Sequence, residues 1–124
     1  MSPSAWAAED ALRGRLAADL RAALKSRDAA ATSAIRTLAA ALDNAGAVAV
    51  DPDRKYVPTA GPSVEVTRRN LSETDLAAII AREIAEREQA IADYEAGSRK
   101  DAADRLRAEI AVIGRYGAAS LPPR

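Results

Sequence analysis

A chain of 124 residues with 18 acidic and 18 basic side chains has room for one packed domain, and its zero net charge excludes the broadly basic character typical of nucleic-acid binders. The absence of both Cys and His excludes disulfides, thiol nucleophiles, Cys/His zinc sites and imidazole acid–base chemistry. The 48% hydrophobic content leans on Ala and includes no Phe, so the core must rest on a small set of Leu, Ile and Val.

In chain order, the first helix is predicted over residues 4–26. Ser4 is placed to cap it, Glu9 and Asp10 lie early where the helix dipole favours anions, and Leu12, Leu16, Leu20 and Leu24 repeat every four residues. Lys25 and Arg27 sit near its C-terminal end, which the dipole also favours. Asp28 can cap a second helix over 28–45, with Ala31, Ala34, Ile35, Leu38 and Leu42 on its buried face and Gly46 as a stop. Arg36 borders that face and is expected to lay its stem along it and pair with an acid of the third helix.

Residues 47–70 differ in kind. Pro52, Pro58, Gly61 and Pro62 interrupt them and no 3.6-residue period survives, so they read as a long irregular loop. Val48/Val50 and Val64/Val66 alternate briefly, a weak β-ribbon signal.

A third helix over 72–96 opens with Ser72-Glu73-Thr74-Asp75, a capping-box pattern preceded by Leu71 at the staple position. Arg82–Glu86 and Glu83–Arg87 are i,i+4 pairs expected on its solvated flanks, and Gly97 is expected to end it. Ser98 and Asp101 then begin a fourth helix over 99–116. Its inner face is Leu106, Ile110 and Ile113, and Asp101–Arg105 and Arg105–Glu109 are pairs expected along its outside. Residues 117–124, with Pro122 and Pro123, cannot extend it and read as a flexible tail.

The whole is therefore predicted as one all-α domain spanning 1–124. Two helical hairpins should dock around Leu16, Leu20, Leu24, Ile35, Leu38, Leu42, Ile80, Ile84, Ile91, Leu106, Ile110 and Ile113, because each hairpin alone exposes an apolar stripe. The third helix is acidic and the fourth basic, which suits an antiparallel pair. No segment has the roughly 18–20 apolar residues of a membrane span, and the start lacks the basic-then-apolar pattern of a secretory signal. A cytoplasmic location is the expectation.

The run Glu83-Ile84, Arg87-Glu88, Ile91, Tyr94-Glu95, Gly97, Arg99, Leu106, Glu109-Ile110, Ile113, Tyr116 resembles the GatB/YqeY family in order and spacing. The N-terminal half agrees, with Leu16 and Leu20, Lys25 and Asp28, Ile35-Arg36, Leu38, Ala41-Leu42, and the Leu71-Ser-Glu-Thr-Asp75 helix start. The resemblance implies a multihelical domain related to the tail of the B subunit of the glutamyl/aspartyl-tRNA amidotransferase, which helps engage tRNA while amide transfer occurs elsewhere. It also implies grouping with carbon–nitrogen ligases that use glutamine as amido donor. Family members continue from Tyr-Leu-Pro into a second, smaller helical subdomain; here Tyr116-Gly-Ala-Ala-Ser-Leu-Pro-Pro-Arg124 closes the sequence.

No Gly-rich phosphate loop, no Ser-Ser-Lys amidase arrangement and no Cys nucleophile is present, so no catalytic residue and no cofactor is assigned. The carboxylate pairs Glu83/Glu86 and Asp101/Asp104 read as solvated ion-pairing groups, and no metal is assigned. Arg68 and Arg69 form the best local basic cluster, and together with Arg99 and Arg107 they are the candidate phosphate contacts. Two functional readings stand side by side. One is a domain associated with tRNA or a tRNA-amidation complex; the other is a protein–protein interaction module, with self-association compatible with the modest stability of an Ala-rich core.

Overall fold

A computed structural model describes residues 5–47 and 70–117. Within them are four helices: α1 (Ala5–Ser26), α2 (Ala29–Gly46), α3 (Glu73–Ala96) and α4 (Lys100–Gly114). The boundaries agree with the sequence reading to within two residues at each end. Residues 48–69 of the expected loop, with its β-ribbon, the tail from 118 and the Ser4 cap lie outside the described residues.

The helices form two hairpins, α1–α2 and α3–α4, which dock chiefly by packing α2 on α4. Both are antiparallel. Arg13 near the start of α1 reaches Asp43 near the end of α2 at 2.8 Å, and Arg107 of α4 reaches Glu95 near the end of α3 at 2.9 Å. The core between them holds Leu12, Leu16, Ala34, Ile35, Leu38, Leu42, Leu71, Leu76, Ile80, Val112, Ile113 and Tyr116. Small Ala side chains at 31, 34 and 103 are also buried there, so part of the helix–helix contact is made by Ala faces. Leu20 and Ile84 are partly buried at its edge. Leu24 is a correction: it is 48% exposed, because a four-residue repeat drifts around a helix of about 3.6 residues per turn, and in the last turn Ala23 takes the core-facing position instead.

Helix starts follow local chemistry. The Asp28 carboxylate accepts from the Ala31 N–H at 3.0 Å. Ser72 and Asp75 form the reciprocal capping box, each side chain accepting from the other's backbone N–H at 3.0 Å. The Leu71 N–H donates to Glu9 at 3.0 Å, tying the start of α3 to α1.

Both hairpin turns are Schellman motifs. In the first, the Asp28 N–H donates to the Ala23 carbonyl and the Arg27 N–H to that of Leu24. In the second, the Arg99 N–H donates to Tyr94 and the Ser98 N–H to Glu95. The left-handed residue each motif requires is Arg27 (φ 58°) in one and Ser98 (φ 61°) in the other. Gly97, expected to stop α3, sits at φ −89° and does not use glycine's freedom. Ser98 is accordingly not a side-chain cap: Arg99 is the N-cap of α4 and makes no capping side-chain bond.

Candidate functional site

Buried polar chemistry is concentrated between α3 and α4. The Arg87 guanidinium donates to Glu109 at 3.1 Å, to the Glu83 carboxylate at 3.1 Å and to the Glu83 carbonyl at 3.0 Å. All three residues are no more than 9% exposed. The solvated Glu83–Arg87 flank expected from i,i+4 spacing is therefore an interhelical triad, because Glu109 of α4 closes over it. In this arrangement one guanidinium bridges two carboxylates, and it offers no nucleophile beside a free base.

A second polar cluster joins the end of α4 to α1. The Tyr116 hydroxyl donates to Asp19, the Arg15 guanidinium lies 5.0 Å from the centre of the Tyr116 ring, and Arg15 also donates to the Arg115 carbonyl at 3.4 Å. Burial first, and the bond to Asp19 second, push the Tyr116 phenol well above its ordinary pKa. A phenol so held is a structural donor.

Of the four candidate phosphate contacts, Arg68 and Arg69 lie outside the described residues. Arg99 and Arg107 are both exposed, one at the α3–α4 turn and the other two helical turns along α4. Arg99 pairs with Asp101 at 3.5 Å and lies 5.8 Å from the Tyr94 ring centre. Arg107 is held by Glu95 at 2.9 Å and Asp104 at 2.8 Å. Backbone hydrogen bonding at Ala102, with Arg99 next, lowers the Asp101 carboxyl pKa below its ordinary value.

These pairings leave another region exposed that sequence spacing did not reveal. Arg105 was expected to be neutralised by Asp101 and Glu109. Asp101 is instead turned to Arg99 and Glu109 to Arg87, and Arg105 forms no ion pair among the described residues. Arg36, expected to reach an acid of α3, instead lines an open groove with Arg27 and Arg105. The groove, of about 600 Å³, runs over the α1–α2 turn, the first half of α2 and the adjoining turn of α4. Its signal in the sequence was limited to three arginines on three different elements, which only the tertiary fold brings together.

The family model described as Yqey-like protein matches residues 57–123, more than half of the chain and the whole α3–α4 hairpin. The chain belongs to the Yqey-like family. A search of curated proteins found no match. The matched region contains Arg68, Arg69, Arg99, Arg105 and Arg107, whereas Arg27 and Arg36 precede it. Among the described residues no helix is long and apolar enough to cross a membrane.

Proposed function

We propose that this Yqey-like chain is a non-catalytic accessory domain that associates with tRNA or with a tRNA-amidation complex. It would act as the tail of the amidotransferase B subunit does, and share that family's grouping with carbon–nitrogen ligases without itself transferring the amide. The observation that carries this reading is the set of exposed cations on α4, Arg99 and Arg107 on one side and Arg105 on another, within a domain of this family. Arginines suit phosphate contact because the planar guanidinium donates two parallel hydrogen bonds to one anion. The buried polar groups support the non-catalytic part, since Glu83, Arg87 and Glu109 satisfy one another.

A second reading, a protein–protein interaction module on the same scaffold, is favoured by one observation. Arg99 and Arg107 already pair with the domain's own carboxylates, which offsets part of their attraction for phosphate. A filter-binding titration with tRNA at low and at physiological salt separates the two. The tRNA reading expects binding that weakens steeply with salt and weakens further when Arg68 and Arg69 are replaced by Ala. Undetectable binding at low salt retires it and leaves the interaction module.

A further inference from the structure

We infer that the groove formed by Arg27, Arg36 and Arg105 is a site for consecutive phosphates of an RNA backbone. The inference rests on the reading of tRNA association and gives it a location distinct from Arg99 and Arg107.

Three observations carry it. First, the three arginines share one groove from three separate elements, and among the described residues no carboxylate lines it. Arg15, Arg21 and Arg115 also lack an ion pair among the described residues, so what distinguishes the unpaired Arg27, Arg36 and Arg105 is that they converge on one groove. Arg13, Arg82, Arg87, Arg99 and Arg107 are all ion-paired. Second, Arg27 occupies the left-handed position of the first turn at φ 58°, where glycine or asparagine is the usual low-cost residue. A bulky cation held there against its conformational preference points to a use for its side chain. Third, Thr32 and Ser33 line the groove from α2 and offer hydroxyls that can donate to phosphate oxygens, whereas the Thr37 hydroxyl is turned back onto the Ser33 carbonyl at 2.8 Å.

The character of the groove favours RNA over an acidic protein. The centres of protein interfaces are apolar and poor in charge, whereas this groove holds three cations and a single large aliphatic side chain, Leu24. It is also open rather than enclosed. A lone small anion would therefore be screened by solvent and bind weakly, while a polyanion that engages several cations at once and releases its counterions binds well. Contacts of this kind recognise the backbone without reading sequence.

The test is fluorescence anisotropy with labelled tRNA over a salt series, on the full chain. Compared are the native protein, the double variant Arg36→Gln/Arg105→Gln, and the control Arg82→Gln, which alters an exposed α3 cation. The groove variant is expected to bind at least about tenfold more weakly and to lose about two units of salt slope. Helix content by circular dichroism should be unchanged, because these arginines have no ion pair to lose, and the control should match the native protein. A groove variant binding within twofold of native overturns the site while leaving tRNA association intact. If the native protein fails to bind tRNA, tRNA association falls, and a titration with inorganic tripolyphosphate followed by NMR decides the site separately. Shifts at the Thr32 and Ser33 amides that vanish in the double variant sustain a phosphate site, and their absence overturns it. Displacement of tRNA by poly-glutamate at equal charge concentration also overturns it, in favour of an acidic protein partner.

Discussion

Arg27 holds a left-handed backbone that costs an L-residue roughly 1–2 kcal/mol. Arg27→Gly should therefore raise stability, by about 0.5–1 kcal/mol once the greater freedom of glycine in the unfolded chain is counted. The midpoint and slope of urea denaturation measure this, and a loss of stability would show that the side chain contributes more to the fold than its exposure suggests. Leu24 and Leu38 make a paired test of burial. Leu38 is fully enclosed and Leu24 half exposed, so Leu38→Ala should cost about 2–5 kcal/mol and Leu24→Ala well under 1 kcal/mol. Similar losses from the two would contradict the described core. The sequence marked both leucines as equivalent members of one stripe. A repeat of four drifts around a helix of about 3.6 residues per turn, so by the last turn Ala23 has taken the core-facing position and Leu24 has left it. At Tyr116 the folded pKa lies above the ordinary phenol value of about 10, so its contribution to stability is complete below about pH 10 and is lost as pH rises through the folded value. Native protein should lose stability more steeply above about pH 10 than Tyr116→Phe, and parallel pH profiles would show that the Tyr116–Asp19 bond is not retained in solution.

At the scale of elements, the α3–α4 seam depends on the Glu83–Arg87–Glu109 triad. Replacing Arg87 by Met leaves two carboxylates buried together without their cation. This should cost about 3–5 kcal/mol, because an unpaired buried charge keeps its desolvation penalty without the attraction that offset it. Adding Glu83→Leu and Glu109→Leu to the same chain should recover most of the loss. Thermal unfolding followed by circular dichroism compares the three proteins, and a triple variant no more stable than the single one would refute this account. The helices themselves were legible in the sequence because Asp28, the Ser72–Asp75 box and the leucine and isoleucine periods are local signals. The partners of the charges were not. Spacing of i,i+4 identifies which charges can meet on one helix, but Glu109 is drawn across to Arg87 on another helix, and Asp101 to Arg99 at the turn. Ser98 was misread for a related reason: a serine between two helices suits an N-cap and a left-handed turn position alike, and only the backbone distinguishes them.

At the scale of the molecule, two hairpins dock through α2 and α4, and the docking does more than bury leucines. It brings Arg36 of α2 beside Arg105 of α4, with Arg27 at the adjoining turn, while the acids that could have neutralised Arg105 are engaged elsewhere. Net charge is therefore a poor guide to what this domain can bind. Charges that cancel in the sum are placed unevenly by the fold: among the described residues some arginines are held in ion pairs, while Arg27, Arg36 and Arg105 converge unpaired on one groove. The family was legible from the order of helices and their spacing, whereas the groove was not, since its members are 78 positions apart at their extremes. The measurement that tests the central claim most directly is the slope of log affinity for tRNA against log salt for the native chain. An RNA backbone seated on three arginines predicts a slope near −2 to −3, at about 0.7–0.9 per phosphate engaged. A slope near zero, or no binding at low salt, would contradict it.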